Sequence, residues 1–186
     1  MALPSLTRLN AKPTDAMNPT TAWLHCRTDS PLGPLLLART GTGLCGAWFA
    51  QDQKHLPAPE RFGPQGLRPN DPLLQAAAQQ LSAYFTGQRQ AFDLPLDLSA
   101  GTAFQQAVWH ALLDIPHGQI SHYGTLAKQL GRPSASRAVG TAVGRNPLSI
   151  IVPCHRVLGS TGALTGYAGG LRRKQALLQL ENHTLL

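Results

Sequence analysis

Acidic residues are scarce in this sequence: nine Asp and Glu stand against 16 Lys and Arg in 186 residues. Charged side chains make up only 13%, which excludes a disordered polyelectrolyte, because such segments stay unfolded through high charge and few apolar residues. Cysteine is sparse too. Cys26, Cys45 and Cys154 form an odd set with no CxxC pair and no zinc-finger spacing. That argues against a disulfide framework and fits a reducing, cytoplasmic compartment. No apolar run approaches the length needed to span a bilayer, so no membrane association is expected. Residues 1–20 lack the continuous apolar core of a signal peptide and read as a polar, Pro-punctuated flexible leader. Internal repeats and low-complexity tracts are also missing.

What is present is 42% hydrophobic, enough for one packed domain or two small ones. The charge is unevenly placed. Residues 1–100 hold eight basic and seven acidic side chains, whereas 101–186 hold eight basic and only two acidic ones, Asp114 and Glu181. Five of the seven histidines lie in that second half. Such a balance fits contact with a polyanion, most simply nucleic acid, and equally fits a solubilising surface.

The pattern along the chain predicts an α+β protein. Segments 21–28, 33–39 and 43–50 read as short strands separated by turn formers. Asn70 or Asp71 can cap a helix with Pro72 in its first turn. Leu73, Leu74, Ala77, Leu81, Tyr84 and Phe85 recur there at helical spacing, and Gly87 ends the run. These elements make a small N-terminal α/β domain over 21–95, with 88–101 as a connector. A mostly helical C-terminal domain over 101–186 opens with a Thr102–Gln105 capping box. Phe104, Val108, Trp109, Leu112 and Leu113 give its first helix an apolar face. Residues 122–130 and 135–143 then read as two short helices about a Gly-containing turn, with Ser134 capping the second. This is a helix-turn-helix pattern. Its second helix is bare: Ala135, Ser136, Ala138, Gly140, Thr141 and Ala142 are small, and Arg137 alone is long. A slim helix suits tight core packing, and it also suits a narrow minor groove.

The segment richest in chemistry follows. The apolar run 148–152 reads as a buried strand that delivers Pro153-Cys154-His155-Arg156 to its end. A buried cysteine is usually a small hydrophobe. Here an imidazole is next in sequence and Arg145 and Arg156 lie nearby, both favouring the nucleophilic thiolate. Glu181 can orient the imidazole in a nucleophile–base–acid arrangement. From the residues alone, a helix-turn-helix regulator and a Cys–His hydrolase stand beside a covalent DNA-directed activity.

The string Asn146-Pro147-x-x-Ile150-x-x-Pro153-Cys154-His155-Arg156-Val157 resembles the active-site signature of the O6-alkylguanine-DNA alkyltransferases, also called methylated-DNA–protein-cysteine methyltransferases. The resemblance continues through Gly166-Tyr167-Ala168-Gly169-Gly170 and Lys174-x-x-Leu177-Leu178-x-x-Glu181. Upstream it takes in Gly101-Thr102-x-Phe104-Gln105, Val108-Trp109, Ile115-Pro116-x-Gly118 and Arg137-Ala138-Val139-Gly140. It implies a ribonuclease-H-like N-terminal domain followed by a winged-helix-like domain. It also implies direct-reversal DNA repair, in which an alkyl group moves irreversibly from guanine O6, and less efficiently thymine O4, to the protein's own cysteine.

On that resemblance Cys154 is the acceptor, His155 its general base through a water, Glu181 the orienting carboxylate and Asn146 the brace of the turn. Tyr123 helps rotate the nucleotide and donates toward the purine. Arg137 fills the gap in the base stack, with Ala135, Ser136, Ala138, Gly140 and Thr141 along the same helix against DNA. Val157, Tyr167, Ala168, Gly169, Trp109 and Ser149 surround the substrate. Ser149 stands where some relatives place a proline, and Gly169 is small where others place a bulky residue. The expected partner is double-stranded DNA carrying O6-alkylguanine, met by a monomer without an obligate protein partner. No cofactor and no metal are expected: Thr21 and Thr40 occupy the places of two zinc-ligand cysteines found in some relatives, and His25, Cys26 and Cys45 have the wrong spacing for that site.

Overall fold

In a computed structural model, residues 23–62 and 66–182 are described. The leader expected over 1–20 lies outside them. Strands β1 (Leu24–Thr28), β2 (Leu35–Arg39) and β3 (Leu44–Phe49) form an antiparallel sheet in the order β1-β2-β3. β3 is buried at every position, so it carries continuous apolar character rather than alternation. Cys26 packs in the main core, whereas Cys45 lies in a separate cluster with Ala38 and Trp48. The two cysteines therefore do not share a site. Among the described residues, no group of three or more His, Cys, Asp and Glu is arranged to hold a metal ion.

Helix α1 (Pro72–Phe85) packs on this sheet. Of the two candidate caps, Asp71 takes the role: its Oδ1 accepts from the Leu73 and Leu74 amides at 3.0 and 3.1 Å, and its Oδ2 pairs with Arg39 Nε at 3.0 Å. The connector is not free-running. The Leu44 amide donates to the Pro95 carbonyl and the Asp97 amide to the Leu44 carbonyl, both at 2.8 Å, which lays 95–97 along the edge of β3. Gly43 is required for that approach, because a Cβ there would lie 2.7 Å from the Pro95 oxygen.

Helix α2 (Ala103–Leu113) begins at the capping box: the Thr102 amide donates to Gln105 Oε1 at 2.9 Å and the Gln105 amide to Thr102 Oγ1 at 3.3 Å. Helices α3 (Tyr123–Gln129) and α4 (Ser136–Gly144) pack against α2 and each other as the helix-turn-helix. Ser134 does not cap α4; the turn runs one residue further, Ala135 takes the N-cap place, and no side chain caps this end. The pair β4 (Ser121–His122) and β5 (Val157–Leu158) is parallel and wing-like beside the helices. Helix α5 (Leu171–Leu180) closes the described chain.

One expected element is not a strand. Within 148–152 only Leu148 forms a bridge, with Ala47 of β3, and the remaining residues turn. Ile150 sits at φ 73°, a left-handed conformation that a β-branched residue seldom adopts. A short apolar run signals burial without fixing backbone state. Here burial is met by a turn whose polar groups are satisfied from Asn146.

Candidate active site

Asn146 organises the cysteine's surroundings. Its Oδ1 accepts from the Leu148 amide at 2.9 Å, while Nδ2 donates to the Val152 carbonyl at 2.8 Å and to Cys154 Sγ at 3.0 Å. The turn is also fixed from the other domain: the Ser149 amide donates to the Ala47 carbonyl and the Ala47 amide to the Pro147 carbonyl, each at 2.9 Å. Residues Cys154–Arg156 then form one tight helical turn leading into β5.

That turn places His155, which is 0% exposed, against Glu181 at the end of α5, with Nε2 to Oε1 at 2.9 Å. Its other ring nitrogen, Nδ1, is buried without a hydrogen-bond partner. Since an ionised carboxylate only accepts, Nε2 carries the hydrogen and Nδ1 keeps its lone pair. This is the tautomer of a base. Burial lowers the His155 pKa, and the hydrogen bond and charge of Glu181 oppose that only in part, so the ring is neutral near pH 7. Burial raises the Cys154 pKa, against the Asn146 hydrogen bond and the charge of Lys174. At rest Cys154 is therefore a thiol and His155 a neutral imidazole.

Two cations differ from expectation. Arg156 does not serve Cys154: its Nε and Nη2 bind Glu181 at 2.9 Å each, and Nη1 donates to the Ile115 carbonyl at 2.5 Å. Arg145 is exposed at the end of α4. The charge that favours the Cys154 thiolate belongs to Lys174, which is fully buried and donates to the carbonyls of Val157 and Thr165 at 2.5 and 2.7 Å. Burial lowers its pKa to about 8. The sequence held a signal for it, since Lys174 occupies an apolar-face position of α5 with Leu177, Leu178 and Glu181 at helical spacing. Two contributors from the N-terminal domain carried no such signal. Tyr84 donates to Glu181 Oε1 at 2.7 Å, and Gln53 donates to Ser149 Oγ at 3.2 Å.

The remaining expected residues divide. Tyr123 opens α3, and its hydroxyl donates to the Thr165 carbonyl at 3.2 Å, the oxygen that Lys174 also holds. Gly140 lies against it, with a Cβ there falling 3.6 Å from Tyr123 Cδ1. On α4, Arg137, Ala138 and Thr141 are exposed, Ala135, Ser136 and Gly140 half-buried, and Val139, Ala142 and Val143 face the core. Tyr167 is buried and its hydroxyl lacks a partner; Ala168 beside it is half-buried. Val157 is fully buried.

Trp109 lies buried beneath α4, and its indole donates to the Ala142 carbonyl at 2.9 Å. Gly169 does not leave open room. A Cβ there would fall 2.8 Å from Phe49 and Tyr167 ring atoms, so the glycine admits those rings. Arg173 binds this corner across the domains, donating to the Leu32, Gln51 and Gly169 carbonyls at 2.9, 3.0 and 3.0 Å and covering the Phe49 ring.

The fold and the site thus define a two-domain protein that joins a helix-turn-helix to a buried cysteine followed in sequence by a buried histidine paired with Glu181. Residues 103–183 match the model of the 6-O-methylguanine DNA methyltransferase DNA binding domain, and 25–98 match the ribonuclease-like domain of the same family. The chain belongs to the 6-O-methylguanine DNA methyltransferase family. It is 50% identical to the methylated-DNA–protein-cysteine methyltransferase of Mycobacterium leprae over 88% of this chain and 95% of that protein. The corresponding protein of Methanosarcina acetivorans is 47% identical over 82% and 94%. Among solved structures, Mycobacterium tuberculosis OGT in complex with DNA is 48% identical, covers 85% of this chain and 92% of its own, and superposes with a TM-score of 0.76.

Proposed function

We propose that this protein repairs alkylated DNA by direct reversal, moving a methyl or larger alkyl group from guanine O6, and less efficiently thymine O4, to Cys154. The observation that carries this reading is the prepared sulfur: Sγ held by Asn146 Nδ2, beside a buried imidazole tied by Nε2 to Glu181 and free at Nδ1. His155 takes the thiol proton, through a water, as the sulfur attacks the alkyl carbon. The S–C bond forms, the C–O6 bond breaks, and the departing guanine takes up one proton, with Tyr123 donating toward it. The thioether product is stable and each chain acts once, as a methylated-DNA–protein-cysteine S-methyltransferase without cofactor.

The target oxygen lies inside the duplex, so the nucleotide must leave the stack, at a cost of a few kcal/mol that damage reduces. The exposed Arg137 on a slim α4 suits insertion through the minor groove to hold the gap open. Three cysteines, each buried and unpaired, suit action in a reducing cytoplasm, and we read the active unit as a monomer on double-stranded DNA.

Intact mass spectrometry after mixing with a duplex containing O6-methylguanine tests the reading. The expected result is one added methyl per chain, mapped to Cys154 and saturating at one equivalent; lesion binding with no mass change overturns it.

The protonation states set a second expectation. Transfer needs neutral His155, and burial holds its pKa below the ordinary imidazole value. Single-turnover rates will therefore stay level from pH 7 down through the usual histidine range and fall only at more acid pH, where the ring charges. A fall centred near the unperturbed value of about 6.5 would contradict this.

A further inference from the structure

The carboxylate of Glu181 holds more donors than a His–Glu pair requires. Oε1 accepts from His155 Nε2 at 2.9 Å, Arg156 Nη2 at 2.9 Å and the Tyr84 hydroxyl at 2.7 Å. Oε2 accepts from Arg156 Nε at 2.9 Å and the Gly118 amide at 3.3 Å. Arg156 and the amide already orient and neutralise the carboxylate from within the C-terminal domain. Tyr84 arrives from the last turn of α1 in the other domain, 97 positions away in sequence. It is 1% exposed, and its ring is enclosed by Phe85, Phe92 and His117 at centroid distances of 5.5, 5.5 and 6.2 Å.

A buried tyrosine hydroxyl needs a partner, and Glu181 meets that need. Two features give the bond a further consequence. It is the shortest of the five on this carboxylate, and it falls on the same oxygen that holds His155. Donors sharing one oxygen share its charge, and in a buried network each bond alters its neighbours.

We propose that Tyr84 is a positioning residue of the transfer reaction: by occupying Glu181 Oε1, it sets how firmly the carboxylate holds His155 as a base. The inference rests on the role of His155 given above. The titratable and charged groups facing His155 and Glu181 are Lys174 from α5, Arg156 from the turn before β5, Tyr84 from α1, and, behind it, His117, which meets the Tyr84 ring edge-on. Removing the Tyr84 hydroxyl leaves Oε1 a fuller acceptor for His155 Nε2–H, which favours the imidazolium. The acid limb of the rate profile then moves to higher pH.

The test is the pH profile of single-turnover methyl transfer by full-length Tyr84→Phe, with duplex affinity measured alongside. The limb is expected to rise by about half a pH unit, a loss of about threefold at a pH on the limb, since one unit of pKa is tenfold in protonation. Affinity for DNA is expected to stay unchanged. The same shift must appear in a His117→Phe background, where the neighbouring ring cannot protonate; if it vanishes there, the effect belongs to His117 and the proposal is wrong. 3-Fluorotyrosine at position 84, a stronger donor, is expected to move the limb the other way, and it decides the matter if the phenylalanine variant does not fold. Limbs that coincide with wild type overturn the role of Tyr84, whereas a wild-type protein that transfers no methyl overturns the proposed function itself.

Discussion

Cys154→Ser loses methyl transfer while keeping its hold on duplex DNA. The serine hydroxyl is close in size to the thiol and can still accept from Asn146 Nδ2, so the turn and the helix-turn-helix remain in place. What changes is the nucleophile: in the proposed mechanism His155 takes its proton from a thiol, and an alcohol at its ordinary acidity is a far weaker attacking group. A rate loss of about a thousandfold or more is expected, which corresponds to about 4 kcal/mol in the barrier. Intact mass after incubation with the lesion duplex will show no adduct, and fluorescence anisotropy on the same duplex will show binding close to wild type. Residual labelling has no other cysteine to go to. Burial, with Asp97 nearby, pushes the Cys45 pKa up to about 12, and burial with Asp71 nearby raises that of Cys26. Both are held as protonated thiols. Unimpaired transfer by Cys154→Ser would put the acceptor elsewhere.

Glu181→Gln is expected to cost stability as well as rate. The carboxylate is 1% exposed and takes hydrogen bonds from His155, Arg156, Tyr84 and Gly118. An amide presents one acceptor and one donor in its place, leaving the Arg156 guanidinium buried without its anion. Removing one partner of a buried pair typically costs about 3–5 kcal/mol. At about 2–4 °C per kcal/mol for a chain of this size, that lowers the melting temperature by roughly 6–20 °C. The pH dependence separates this mechanism from loose packing. Burial alone would raise the Glu181 pKa, but the hydrogen bonds from His155, Arg156 and Tyr84 outweigh it and hold the carboxyl well below the usual range. A depressed folded-state pKa contributes stability that is present above the unfolded value of about 4.3 and is lost as pH falls through the folded one. The difference between wild type and Glu181→Gln in urea unfolding will be full at pH 6 and will shrink below pH 4; a gap constant with pH would assign the loss to packing.

Much of the architecture was legible because local chemistry agreed with the fold. Thr102 and Gln105 form the box their spacing predicts, Asp71 and Pro72 open α1, and the three turn-separated segments become the sheet. The contact between His155 and Glu181 was legible through sequence motifs. Failures came where a partner is distant or a residue type has two uses. The apolar run 148–152 carried burial but not backbone state, and Asn146 made the turn affordable by supplying its hydrogen bonds. Arg156, two positions after Cys154 in sequence, turns instead to Glu181. Tyr84 and Gln53 act across separations of 97 and 96 residues, which no local pattern encodes.

The cysteine-bearing turn is stitched to the sheet by the Ala47 backbone, by Gln53 on Ser149 and, at its flank, by Arg173. None of these residues lies on the helix-turn-helix. A genetic screen for cells sensitised to alkylating agents would accordingly yield two separate groups of alleles. One group would map to α4 and read as lost DNA contact. The other would map to β3 and the loop after it, and would have the phenotype of a missing nucleophile although Cys154 is intact.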